Sequence, residues 1–284
     1  MNKKLLFLTV IFSFISFLKA DANVNWITDF ESAQKLALSS NKLILVDFWA
    51  SWCGPCRKMD SDAWSQKEVS EIVRNFVPLK IDLDSHKALA LKYNVNSIPH
   101  VFLMDGNGKI IFESTGYMGK EEVIRVLEPF TLNTQFLQKE SINYYKKQNY
   151  ITALHLADSY LTYSLYLPKS IRNDVITVAE QYLKESEDFL DKEQSNFDLI
   201  QQKIELLEIM VDLYSRNFKK VDRKLSKIKS KNLQPKNKSL YNYINYCNDA
   251  IQHRDPIKWK ELLQASDSSE YLNKYDIFLK STYF

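Results

Sequence analysis

Between about Asp29 and Phe130, short apolar runs alternate with segments of helical spacing. Asp29 is placed to cap a helix running through Ser39. Leu43-Ile44-Leu45-Val46-Asp47-Phe48-Trp49 follows, apolar on both faces, the pattern of a central strand covered by helices on each side. A second helix is predicted from the Cys53/Cys56 pair onward. Val77-Pro78-Leu79-Lys80-Ile81-Asp82 reads as another strand, with Pro78 near its start, where a missing N–H matters least. Asp84 is predicted to cap a helix reaching about Tyr93. Val101-Phe102-Leu103-Met104 and Ile110-Ile111-Phe112-Glu113 should pair antiparallel, because Asp105-Gly106-Asn107-Gly108-Lys109 between them suits the positive φ angles of a hairpin. Lys120 to Leu127 closes the series as a helix with Pro129 at its end. These elements imply an α/β fold over residues 23–130, a mixed central sheet flanked by helices.

After Phe130 strand-like alternation stops and Pro becomes rare, so residues 131–284 are expected to form an all-α domain. Candidate helices are 134–148, 150–165, 170–190, 197–215, 218–230, 238–252 and 257–280. Asn149-Tyr150-Ile151-Thr152-Ala153 and Asn217-Phe218-Lys219-Lys220-Val221 share an Asn-aromatic start and lie 68 residues apart. That spacing is twice the period of about 34 residues of tetratricopeptide repeats, which this part of the chain weakly resembles. No matching unit stands midway near Lys184, and an irregular helical bundle fits the pattern equally well.

At 284 residues the chain is long enough for two such domains, and 45% hydrophobic with 26% charged residues is the balance of a globular protein. The 38 basic and 35 acidic residues leave a net charge of +3, too little to imply a long-range field. The one basic concentration, Lys219 to Lys238, has no interleaved aromatic residue to stack a base and reads as a solvated helix face, so no nucleic-acid partner is expected. The first residues read as an address: Asn2-Lys3-Lys4, an apolar run from Leu5 to Leu18, then Lys19-Ala20-Asp21-Ala22. We read residues 1–22 as a secretory signal peptide. The rival reading is an N-terminal membrane anchor, but 14 apolar residues fall short of the roughly 20 that span a bilayer.

Export makes the three cysteines informative. A disulfide framework would use more of them, spread along the chain; here two sit three apart and Cys247 stands alone. A cysteine pair spaced in this way at a helix start can form a small, exposed disulfide that exchanges with others. Gly54 and Pro55 let the chain turn into the helix. Cys53, at the helix N-terminus with Arg57 and Lys58 nearby, should ionise more readily than a free thiol, which is only a few per cent thiolate near pH 7 at a pKa of about 8.5. Cys53 is therefore the candidate nucleophile and Cys56, one turn on and more buried, the resolving thiol. A metal site would need further ligands at short spacing, and His86, His100, His155 and His253 are scattered singly. Asp47 stands inside an apolar strand, where an unpartnered carboxylate is costly to bury. It is placed to exchange the Cys56 proton, with Lys80 on the neighbouring strand able to tune it by charge. Trp26, Trp64 and Trp259 read as packing residues, and Cys247, among Tyr243, Ile244 and Tyr246, as a small buried hydrophobe.

Trp49-Ala50-Ser51-Trp52-Cys53-Gly54-Pro55-Cys56-Arg57-Lys58-Met59 resembles the active site of the thioredoxin family. Asp47, Lys80-Ile81-Asp82 and Ser97-Ile98-Pro99 match that family in order, over about residues 25–130. The resemblance implies that Pro99 is cis and lies beside the dithiol, that Ile98 offers backbone hydrogen bonds to an extended substrate, and that Trp52 and Gly116 line the groove. His100 departs from the Thr common in the family, and either a solvated spectator or a titratable neighbour of the thiols fits it. The function implied is an extracytoplasmic, periplasmic-type thiol–disulfide oxidoreductase that reduces protein disulfides. No organic cofactor or metal is implied beyond the redox-active Cys53–Cys56 disulfide. Such a reductant must be recharged by a thiol electron donor, for which a membrane-embedded transporter is the natural candidate. A disulfide oxidant or isomerase, and a scaffold whose helical domain grips a protein partner, remain open.

Overall fold

The computed structural model describes residues 24–266 and 269–283, so the predicted signal peptide at 1–22 lies outside the described residues. Asp29 caps helix α1 (Phe30–Ser40), its carboxylate accepting from the Ser32 amide at 2.7 Å, and Asn41 at φ 57° ends that helix. Strand β1 (Leu43–Trp49) runs into α2 (Gly54–Met59), which continues through a π-helical turn at Asp60–Trp64. Then come α3 (Lys67–Val73), β2 (Phe76–Asp82), α4 (Lys87–Lys92), β3 (His100–Met104), β4 (Ile110–Thr115) and α5 (Lys120–Leu127). The helix expected to be capped by Asp84 has His86 at the cap position instead and starts at Lys87. Asp82 accepts from the Asp84 and Ser85 amides at 2.8 and 3.3 Å, a local turn that holds these residues out of the helix.

The sheet order is β2-β1-β3-β4, with β1 and β2 parallel and the other pairs antiparallel. Alternation sorts the β1 side chains. Ile44, Val46 and Phe48 pack with Ala33 and Ala37 of α1 and Ala90 of α4. Leu43 and Leu45 share the other face with Met59, Ala63, Trp64 and the inward residues of α3 and α5. Asp47 belongs to that second face by the same alternation, beneath the segment that carries the cysteines. Pro78 sits on the outer edge of β2, where only its carbonyl is used, accepting from the Ile27 amide at 2.9 Å.

The β3–β4 hairpin turns at Asp105–Lys109 as expected, with Gly108 at φ 84°. A Cβ on Gly108 would also lie 2.6 Å from the Tyr93 hydroxyl, so only glycine fits there.

The rest of the described chain is helical: α6 (Gln138–Lys146), α7 (Tyr150–Ser164), α8 (Lys169–Asp188), α9 (Phe197–Tyr214), α10 (Phe218–Leu225), α11 (Lys238–Ile251), α12 (Ile257–Ala265) and α13 (Ser269–Tyr283). Two predicted helices are corrected. The 218–230 segment stops at Leu225, and the segment expected over 257–280 is described as two helices, one ending at Ala265 with Ser266 as its cap and one beginning at Ser269. Both Asn-aromatic motifs begin helices, α7 and α10. Only Asn149 caps with its side chain, accepting from the Ile151 and Thr152 amides at 3.0 Å. Among the described residues no helix is long and apolar enough to cross a membrane.

The helices dock on one end of the sheet. Asp105, wholly buried in the hairpin turn, accepts from Tyr182 at 2.5 Å and Tyr160 at 3.0 Å as well as from the Asn107 and Lys109 amides. Burial raises the Asp105 carboxyl above its usual range, and these four donors oppose that rise. Glu185 of α8 binds both Lys109 and Tyr144, and Gln181 donates to the Ile110 carbonyl at 3.0 Å. Because β1 runs away from this end toward the cysteines, the docked helices occupy the pole opposite the disulfide.

Candidate functional site

Cys53 and Cys56 form a disulfide at the start of α2, just beyond the end of β1. Cys53 is the N-cap, its sulfur accepting from the Cys56 amide at 3.1 Å, and Pro55 occupies the first turn, where its missing N–H costs nothing. The pair, expected to be exposed, is buried in this closed state, Cys53 and Cys56 being 4% and 3% exposed. They pack with Ala50, against Trp49, Leu83 and Ile98.

The Ile98–Pro99 bond is cis. The Pro99 carbonyl accepts from the Gly116 amide at 2.8 Å, which ties the proline loop to the end of β4. A Cβ added to Gly54 or to Gly116 would meet nothing within 4 Å, so the space above both residues is open. Gly116 has φ 102°, which glycine alone adopts without strain. Trp52 is 61% exposed, and its indole N–H donates to Asp84 at 2.9 Å. Ile98 packs against the cysteine pair, Pro99 and Gly116 are joined by their backbone hydrogen bond, and Trp52 and Gly54 flank Cys53 in the chain. Arg57 turns back to donate to the Ser51 carbonyl at 2.5 Å, and Lys58 lies over the Tyr117 ring.

Beneath the pair, Asp47 is 2% exposed and faces Lys80 across the β1–β2 register, Nζ to Oδ2 3.6 Å. Lys80 makes its closer contact with Asp60 in the π turn and lies over the Trp49 ring at 4.8 Å. Burial pushes the Asp47 carboxyl up to about 6; the Lys80 ammonium opposes this and the Asp60 charge adds to it. Asp47 Oδ1 and the Trp64 indole N–H are buried without hydrogen-bond partners, so Trp64 relieves the carboxyl only weakly. This is a carboxyl that can exchange a proton near neutrality.

His100 is corrected from a solvated residue to a buried one. It is 7% exposed and stacks on Phe102 with ring centroids 4.2 Å apart. Neither ring nitrogen has a hydrogen-bond partner, and Glu113 stands 3.6 Å from Nε2. Burial lowers its pKa and the Glu113 charge opposes the change. Cys247 is wholly buried, which pushes its thiol up and out of reach of a reaction partner. Among the described residues no group of three or more His, Cys, Asp and Glu side chains is placed to hold a metal.

Asp60, Asp62, Asp84 and Tyr117 were not singled out by the sequence reading. Asp60 carried a usable signal, since a residue four beyond Cys56 shares its helix face. Asp84 and Tyr117 depend on the pairing of distant segments, which no local pattern reports.

A mixed sheet with a redox-capable cysteine pair at the start of its first sheet-following helix, faced by a cis-proline loop, defines a thioredoxin-like domain. The thioredoxin-like domain family matches residues 30–131. The thioredoxin of Streptomyces clavuligerus is 38% identical over 88 residues, covering 31% of this chain and 78% of its own. The bifunctional thioredoxin reductase/thioredoxin of Mycobacterium leprae is 38% identical over 97 residues, 34% of this chain and 20% of its own. The thiol:disulfide interchange protein DsbD of Campylobacter jejuni is 27% identical over 122 residues, 42% of this chain and 21% of its own. The chain thus spans about a fifth of the length of the last two. It belongs to the thioredoxin family.

Proposed function

We propose that the chain is an extracytoplasmic protein-disulfide reductase working through Cys53 and Cys56. The observation that carries this reading is the placement of the Cys53–Cys56 disulfide at a helix start, beneath open space at Gly54 and Gly116. In the reduced protein the Cys53 thiolate attacks one sulfur of a substrate disulfide, and the other substrate sulfur leaves as a thiolate that takes up a proton. Cys56, giving its proton to Asp47, then attacks Cys53. The second substrate thiol is released and the Cys53–Cys56 disulfide closes, so two electrons pass from the pair to the substrate. Lys80 and Asp60 set the charge that Asp47 feels. Trp52, Ile98, Pro99 and Gly116 hold the substrate segment, with Gly54 and Pro55 shaping the turn.

The electrons are returned by a thiol donor, for which we favour a membrane-embedded one. The composition of residues 1–22 and the resemblance to a thiol:disulfide interchange protein support work outside the cytoplasm. Residues 131–284 form the second domain of this reading and offer a surface for a protein partner, docked away from the disulfide. Cys56→Ser, incubated with disulfide-bearing proteins, should accumulate mixed disulfides on Cys53 that the Cys53→Ser variant does not form. Equal trapping by both variants would remove the assigned roles. A reduction potential in the strongly oxidising range, measured in a glutathione buffer, would replace the reductase reading by the oxidant or isomerase one.

A further inference from the structure

Trp52 has an aromatic counterpart beside the proline loop. Tyr117 follows Gly116, whose amide is bonded to the Pro99 carbonyl, so it stands at the edge of the proline loop. Its hydroxyl donates to Asp62 at 2.8 Å, and Lys58 Nζ lies 4.9 Å from its ring centroid. Lys58 and Asp62 are one turn apart in the segment that begins at Cys53. Tyr117 therefore bridges the proline loop and the cysteine helix, fixed at both places, and is still 39% exposed.

Trp52 is built in the same way on the other side. Its polar end is bound by Asp84, which follows β2, while Tyr117 follows β4. In the order β2-β1-β3-β4 the anchor of Trp52 after β2 and Tyr117 after β4 fall on opposite sides of β1, the strand that leads to the disulfide. Each ring has its polar group satisfied by a carboxylate, so the exposed part of Trp52 and the part of the Tyr117 ring not covered by Lys58 present apolar surface. A rigid aromatic contributes contact area at little entropic cost, and burying an apolar side chain against it strengthens binding without a new polar contact.

Resting on the reading of Cys53 as the nucleophile, we propose that Tyr117 is a specificity-determining residue. With Trp52 it walls the cleft, and it selects extended disulfide-bearing segments that carry a large apolar side chain on one side of the attacked cysteine.

The test uses the full reduced chain and peptide substrates whose cysteine is capped by 2-nitro-5-thiobenzoate. Attack of Cys53 on the peptide sulfur breaks that disulfide and releases the coloured thiolate. Three peptides are compared: Phe before the cysteine, Phe after it, and Gly on both sides. The wild type should react about tenfold faster with Phe-bearing peptides than with the Gly peptide. In Tyr117→Ala that advantage should collapse for one Phe position and persist for the other, where Trp52 makes the contact. Tyr117→Phe, which keeps the ring, should retain most of it. No Phe advantage in the wild type, an advantage that survives in Tyr117→Ala, or an equal loss at both positions would overturn the proposal. Failure of the wild type to release the thiolate from any peptide would instead overturn the reading of Cys53.

Discussion

Asp47 offers the sharpest quantitative test of how the site is built. Its carboxyl is raised from 3.8 to about 6, chiefly because burial disfavours the charged form. The folded protein therefore holds this proton more tightly than the unfolded chain does. The stability so conferred is present below pH 3.8 and is lost as pH rises to about 6. At about 1.4 kcal/mol per pH unit, the loss between pH 4 and pH 8 amounts to about 2–3 kcal/mol. Asp47→Asn is nearly isosteric with the protonated carboxyl and cannot ionise, and Lys80 keeps its closer partner Asp60. Urea unfolding of the oxidised protein, wild type and variant, should give stabilities that diverge in favour of the variant by that amount as pH rises from 4 to 8, with the midpoint of the change about halfway between the two pKa values and a plateau above about 6. Other carboxylates titrate alike in both proteins and cancel. A stability difference that does not change with pH would refute the claim that Asp47 is buried and charged only at a cost.

Three further outcomes follow from the same structure. Asp60→Asn removes a charge that raises Asp47 and frees Lys80 to pair with it; the midpoint in the preceding experiment should move to lower pH, and a move upward would contradict the assignment. Tyr182→Phe deletes the short bond to Asp105 and should cost about 1–3 kcal/mol in urea unfolding, while disulfide exchange at the opposite pole is unchanged. His100 is held below its ordinary 6.5 by burial, so the unfolded chain takes up its proton first and the wild type loses stability as pH falls through that value. His100→Phe escapes this loss, and its advantage in thermal unfolding should widen on going from pH 7.5 to pH 5.5.

The strands were legible because each carries its own pattern: an apolar run over Leu43 to Trp49, and a Gly- and Asn-bearing turn between Met104 and Ile110. The cysteine pair and Asp47 stood out for a related reason, since each breaks the rule of its segment. What escaped was set by tertiary contact. The Asx turn at Asp82 moves the cap of α4 from Asp84 to His86, about half a turn, and its residue Asp84 serves Trp52, 32 positions away. His100 could be read as a solvated residue or as a neighbour of the thiols because strand alternation around a proline is ambiguous, whereas the structure turns it onto Phe102. The role of Asp105 was invisible as well: a hairpin aspartate is ordinary turn chemistry until Tyr160 and Tyr182 close over it from helices more than fifty residues further along the chain.

Everything proposed for the site requires that the reduced Cys53 sulfur ionise more readily than an ordinary thiol. Its rate of alkylation by iodoacetamide, followed from pH 5 to pH 10 in the Cys56→Ser protein with peptide mapping to exclude Cys247, reads this directly. A sigmoid centred below the value of about 8.5 for free cysteine is expected. A midpoint at or above that value would contradict the proposed role of Cys53.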